Sequence, residues 1–196
     1  YADDNEKPVH EVALNSFNMG KYLVTQEEYL KVMEVNPALY EGMLRPVECI
    51  DWYDAVEFCN KLSEKEGLSP AYKIDKSIMD RNNESKNDDK KWVVECYFNS
   101  KGYRLPTESE WEYAARGGKE SKNFKYSGSN NLNDVAWFED NSSGTTNNVG
   151  SRYPNELGIY DMSGNVHEWC WDWYGPYTST KKTDPKGSIS GSGRVL

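Results

Sequence analysis

The sequence predicts an α+β domain of few helices, short twisted strands and long irregular loops. Three observations predict it. Short amphipathic segments open with helix-capping patterns, at Thr25-Gln-Glu-Glu28 and Thr107-Glu-Ser-Glu110. Apolar residues alternate with polar ones from Trp92 to Phe98, as in a half-buried strand. From Lys119 onward the chain is rich in Gly, Asn and Ser and carries few regular signals.

Taken in order, Val9 to Met19 reads as a strand that Asn15-Ser16 breaks. A helix then opens at Thr25. Its hydroxyl takes an orphan backbone N–H while Glu28 reaches back. Tyr29, Leu30 and Met33 share one side, and Asn36-Pro37 ends it. A second helix starts at the cap Asp51, and Trp52, Ala55, Val56, Cys59 and Leu62 form one apolar stripe. Gly67 supplies the left-handed residue after its last turn.

Lys73 to Lys91 is polar and highly charged, so it reads as an exposed hairpin tip or mobile loop. Trp92 to Phe98 returns, with Trp92, Val94, Cys96 and Phe98 on the apolar face. The third helix opens at Thr107, faces Trp111, Ala114 and Ala115 inward and closes at Gly117-Gly118. Glu112 and Arg116 lie four apart and can pair on its surface. Beyond it, Ser127 to Asn131 and Asn141 to Asn148 read as turns. Irregular stretches this long are uncommon unless functional or ligand-braced. No repeat or linker divides the chain, so residues 1–196 read as one domain.

Composition excludes several function classes. Net charge is −9, with 23 basic against 32 acidic residues, which argues against nucleic acid and anionic lipid. Mean hydropathy is −0.89, and no apolar run is long enough for a membrane span. Hydrophobic content is only 37% but includes seven Trp and fourteen Tyr, so the core leans on aromatic side chains. Cys49, Cys59, Cys96 and Cys170 show no Cys-x-x-Cys spacing, which argues against structural zinc and leaves their pairing open. Cys59 falls on the apolar helix face and reads as a buried free thiol. Both ends read as cut from a longer chain, with Arg194-Val-Leu196 as the start of a strand.

Five blocks carry a family resemblance: Glu6 to His10, Met19 to Gln26, Pro46 to Ala55, Arg104 to Gly118, and Gly158 to Trp173. In this order they resemble the formylglycine-generating enzyme, or sulfatase-modifying factor, family of bacterial type. The resemblance implies a C-type-lectin-like fold. It implies several functions, because members include copper- and oxygen-dependent enzymes that convert a sulfatase cysteine to formylglycine, iron-dependent sulfoxide synthases, and non-catalytic ligand-binding variable proteins. In the copper enzymes two C-terminal cysteines hold the metal, and they would follow Leu196. None of the four cysteines here takes their place by motif. Tyr126-Ser-Gly128 stands where catalytic members have Pro-Trp-Gly, and a polar hairpin at about 73–99 is inserted.

The resemblance also maps a calcium site onto Asp161, Gly164, Val166 and Glu168. The chemistry agrees, since a hard cation takes carboxylate and carbonyl oxygens around a tight turn. The plainer alternative is a turn capped by Asp161, with Glu168 in a salt bridge. The family's second calcium site is expected to be absent, because Val135 stands where an Asn is needed. Trp169, Trp171 and Trp173 alternate and would share one buried strand face. Together with Trp111 and Trp137 they suggest a ligand pocket, although core packing explains them more simply. His10 and His167 read as structural. Glu110 is used by the capping box and Glu112 by Arg116. No catalytic residue is assigned.

The resulting expectation is a non-catalytic binding scaffold for a protein or peptide ligand. The alternatives are a fragment of a copper-dependent formylglycine-generating enzyme, its copper held by cysteines beyond Leu196, or a diversified ligand-binding protein whose variable face lies there. A bacterial cell-envelope or secreted location is expected.

Overall fold

A computed structural model describes residues 7–196, so the Tyr1 terminus and Glu6 of the first block lie outside the described residues. The elements run β1 (Val12–Ala13), α1 (Gln26–Met33), α2 (Trp52–Lys65), β2 (Tyr72–Met79), β3 (Trp92–Cys96), α3 (Glu108–Ala115), α4 (Leu132–Val135) and β4 (Lys182–Thr183). Irregular backbone fills the rest, which makes this the α+β domain with short strands that the sequence predicts.

Local capping chemistry sets the three longer helices. Thr25 caps α1, Asp51 caps α2 and Thr107 caps α3, and each is paired reciprocally with the acidic residue three positions on. Asp54 completes the box on α2, where only the Asp51 cap was expected. Helix α1 stops earlier than Asn36-Pro37 would require. Glu34 adopts φ +64 and returns its N–H to the Leu30 carbonyl, which closes the last turn. Leu30 is exposed rather than turned inward with Tyr29.

The core forms around α2. Trp52, Tyr53, Ala55, Val56 and Cys59 pack with Ala71, Tyr72 and Leu105. On the other side of α2, Phe58 stacks on Tyr29 of α1 at 5.3 Å. Trp171 stacks on Tyr72 at 5.5 Å, while Trp169 and Trp52 donate their indole N–H groups to the Ile50 and Cys170 carbonyls. Large aromatics therefore supply the area that a chain poor in aliphatics lacks.

The structure corrects two strand expectations. Within Val9–Met19 only Val12–Ala13 is strand, because its parallel partner Lys182–Thr183 is itself only two residues long. The Trp169–Trp173 segment is not a strand. Its backbone meets the 193–195 segment through three bonds, Cys170 N–H to Val195 O, Val195 N–H to Asp172 O and Tyr174 N–H to Gly193 O. Turns interrupt this ladder, although the terminal residues do pair as a strand start would.

Lys73–Lys91 belongs to a hairpin, as one of its two readings had it, and not to a mobile loop. Strand β2 runs through its first part, antiparallel to β3 with Ile74 opposite Val94. Ile74, Trp92, Val94 and Cys96 lie on the α2 core. Residues 80–91 are docked rather than loose. Lys90 pairs with both Asp51 and Asp54 at the α2 N-terminus. Buried Asn83 donates to Tyr53 Oη at 3.0 Å and to Asp88 at 2.9 Å. The polar groups that suggested mobility satisfy one another against α2.

Candidate functional site

The turn at 161–168 is held in an unusual backbone path. Asp161, Gly164 and Asn165 have φ of +59, +85 and +66, a region that residues with a Cβ visit rarely. Each has a packing or hydrogen-bond cause. Asp161 is buried and accepts the Gly150 N–H at 2.7 Å. Gly164 presses on Trp137, so that a Cβ here would lie 2.2 Å from the Trp137 carbonyl oxygen. Asn165 donates its backbone N–H to that same oxygen at 2.8 Å. Its side-chain amide spans Asn147, accepting from N–H and donating to C=O, both at 3.0 Å.

This bracing brings the four expected ligand residues together. Asp161, Gly164, Val166 and Glu168 all line one cavity of about 330 Å³, walled also by Trp111 and Trp137. Burial pushes the Asp161 carboxyl up, and burial first, then the charge of Asp161, pushes Glu168 up to about 7. Neither forms an ion pair among the described residues. Glu168 therefore lacks the salt bridge that the plainer reading gave it, whereas Asp161 does brace the turn. No cluster of three or more His, Cys, Asp or Glu occurs among the described residues. A cation here would have to take backbone carbonyls beside the two carboxylates, as calcium does.

The remaining candidates separate. Trp173 is buried, with the Arg194 guanidinium 3.5 Å over its ring and 3.7 Å over that of Trp52. Trp169 and Trp171 pack on the α2 core, while only Trp111 and Trp137 reach the cavity. The five tryptophans do not form one pocket. His167 is exposed at the cavity rim, and His10 lies against Tyr177 at 5.5 Å. Glu110 serves the cap and also binds Arg104 through both oxygens at 2.7 Å. Glu112 pairs with Arg116 at 2.8 Å. Val135 is buried on α4.

The cysteines present do not fit copper. All four are free thiols. Burial pushes Cys59 and Cys96 up to about 12 and raises Cys170 as well. Cys49 is exposed on another loop and bonded to Glu48, which raises it too. A soft cation takes thiolates, and none of these four environments favours one.

Sequence reasoning missed Asn165 and Gly150, and offered Trp111 and Trp137 only as part of a pocket of five tryptophans. Asn165 had a signal, since Asn tolerates the left-handed turn conformation. Gly150, Trp111 and Trp137 come from distant segments, and no spacing links them to the turn.

Comparison with known proteins places this geometry in context. The family model described as sulfatase-modifying factor enzyme 1-like domain matches residues 1–196. A protein named chaperone protein LppX from Paenibacillus barcinonensis is 48% identical over 191 residues, covering 89% of this chain and 66% of that protein. The formylglycine-generating enzyme of Mus musculus is 30% identical over 98% of this chain and 59% of its own length. The chain thus spans less than two thirds of both curated relatives. Among solved structures, Treponema denticola variable protein 1 superposes with a TM-score of 0.80 at 37% identity, covering 94% of this chain and 73% of that one. The matched blocks, the loop-rich α+β architecture and the family model agree: the chain belongs to the sulfatase-modifying factor (formylglycine-generating enzyme) family.

Proposed function

We propose that this domain is a non-catalytic binding scaffold for a protein or peptide ligand, with calcium bracing the 161–168 turn. The state of the cysteines carries the reading. Burial raises the Cys59, Cys96 and Cys170 thiols and Cys49 lies exposed on another loop, so these four cysteines offer no preformed thiolate pair. The relative named a chaperone protein supports a protein as the ligand. Calcium suits the turn because two carboxylates with no ion pair among the described residues gain from a hard cation. Asp161 and Glu168 would supply carboxylate oxygens, and Gly164 and Val166 carbonyl oxygens.

A second reading, a diversified ligand-binding protein, is favoured by the likeness to a variable protein at 37% identity. In a third, a formylglycine-generating enzyme, copper would need cysteines other than these four. The scaffold reading puts the protein at a bacterial cell envelope or outside the cell. No described helix is long and apolar enough to cross a membrane.

The test is to incubate the protein with copper, oxygen and a peptide containing Cys-x-Pro-x-Arg, then probe for an aldehyde. The scaffold reading predicts no aldehyde. Turnover would establish the enzyme reading instead.

A further inference from the structure

Gln26 is fully buried, and a buried side-chain amide needs partners for both its ends. It finds them along one loop. Its Nε2 donates to the Tyr40 and Pro46 carbonyls at 2.9 and 3.2 Å, while Oε1 accepts from Asn36 Nδ2 at 3.0 Å and from the Gly42 N–H at 2.9 Å. The first backbone N–H groups of α1 reach the same loop, Gln26 to Arg45 O at 2.9 Å and Glu27 to Met43 O at 3.1 Å. The Val149 N–H donates to Leu44 O at 2.9 Å. These bonds use backbone atoms of Tyr40, Gly42, Met43 and Leu44, so the loop keeps its shape whatever side chain stands at 39 or 44.

The side chains of this braced loop point the other way. Leu39 and Leu44 are 70% and 58% exposed, and Val35, Tyr40 and Met43 are exposed with them. One exposed leucine means little, whereas several large apolar side chains on one fixed loop mark an interaction surface. Charge selects what can cover it. Residues 34–48 carry Glu34, Glu41 and Glu48 against Arg45 alone. Arg45 Nη1 is turned to the Thr146 carbonyl at 2.5 Å, and Glu48 accepts the Tyr40 N–H at 2.8 Å. Glu34 and Glu41 are exposed and form no ion pair among the described residues. A second copy would bring the same carboxylates against these, and an anionic lipid surface would meet a chain of net charge −9. Lysine or arginine beside apolar side chains satisfies both the patch and its rim.

We propose that the 35–44 patch docks a segment of another protein that carries apolar side chains flanked by Lys or Arg. This rests on the scaffold reading and deepens it, adding a surface and the chemistry of the partner. Burial of Leu39 and Leu44 holds the segment. Glu34 and Glu41 steer it in and reject acidic competitors.

The probe is a fluorescein-labelled amphipathic peptide of Leu and Lys, followed by anisotropy beside a Leu/Glu peptide of the same pattern. Wild type is expected to bind the first and not the second. Leu39→Ser with Leu44→Ser is expected to weaken binding about 10-fold or more, at an unchanged unfolding midpoint because both side chains are exposed. Glu34→Gln with Glu41→Gln should weaken binding at low salt and flatten its salt dependence. Asp89→Asn with Glu120→Gln makes the same charge change on other segments and should do neither. Equal losses from the two charge pairs would mean general attraction to an acidic protein and overturn the proposal. Full affinity after the two leucine changes overturns it as well. Dimerisation in sedimentation velocity, or binding to phosphatidylserine vesicles, that disappears with the same leucines would assign the patch to a second copy or a membrane and overturn the proposal. A wild type that binds no Leu/Lys peptide overturns the docking surface alone, because the aldehyde assay judges the scaffold reading separately.

Discussion

Replacing Gly164 with alanine should be the most damaging single-methyl change in this fold. Two costs combine. Gly164 has φ +85, and a residue with a Cβ held in left-handed backbone loses about 1–2 kcal/mol. The new Cβ would also sit 2.2 Å from the Trp137 carbonyl oxygen and 3.0 Å from its carbon. Backbone cannot rotate away as a side-chain tip can, so the turn must lift from Trp137. Such overpacking costs about 1–3 kcal/mol, and the Asn165–Trp137 hydrogen bond, worth about 1 kcal/mol, opens with it. The combined loss is about 3–6 kcal/mol, or a fall in midpoint of roughly 6–24 °C for a chain of this size.

Gly144→Ala is the control. Gly144 has φ +69, yet a Cβ there meets nothing within 4 Å. It should suffer the conformational strain alone, about 1–2 kcal/mol and a fall of roughly 2–8 °C. Thermal unfolding followed by far-UV circular dichroism compares the two. Equal falls, or a Gly164→Ala midpoint within roughly 3 °C of wild type, would refute the clash argument.

Three further predictions follow from buried polar groups. Burial pushes Asp172 up to about 7 from its ordinary 3.8, so the folded state holds the proton more tightly than the unfolded chain. Its contribution is present below about pH 4 and is lost as pH rises through about 7, so the midpoint falls over that window. Asp172→Asn should flatten the fall, by an amount on the order of 1–3 kcal/mol, and an unchanged pH profile from 4 to 8 counts against the assignment. Arg194→Lys should cost about 2 kcal/mol, because an ammonium cannot stack flat between Trp52 and Trp173; urea unfolding measures it, and a neutral outcome contradicts the stacking role. Asn83→Ala should cost about 1–3 kcal/mol and release amide-exchange protection across residues 80–91, whereas an unprotected wild-type loop would contradict its docking on α2.

The parts of this fold that were readable in the sequence are those with local causes. Thr25, Asp51 and Thr107 each cap a helix through a partner three residues away, so spacing alone reveals them. The α2 stripe is equally local, and Trp52, Ala55, Val56 and Cys59 are buried as its period requires. Strand β1 failed this logic because its pairing depends on Lys182–Thr183, some 170 residues on. The 80–91 segment looked mobile from its charge, but Lys90 finds two carboxylates at the α2 N-terminus, a match that composition does not encode. The Trp169–Trp173 alternation imitated a strand, while the rings take individual places around Tyr72, Ile50 and Arg194.

The candidate site divides in the same way. Asp161, Gly164, Val166 and Glu168 sit within eight residues, and a family resemblance was enough to group them. The supports from Gly150, Asn147 and Trp137 arrive through separate loops. Only the folded chain shows that Glu168 forms no ion pair among the described residues.

Thermal unfolding of wild type and Asp161→Ala, each with calcium and with a chelator, tests the calcium-braced turn most directly. A ligand that binds only the folded state stabilises it by about 2.7 kcal/mol at a hundred times its dissociation constant. The wild-type midpoint should then rise by roughly 5–10 °C with calcium, and the Asp161→Ala midpoint should not respond. No rise in wild type, or an equal rise in both proteins, would contradict calcium at this turn.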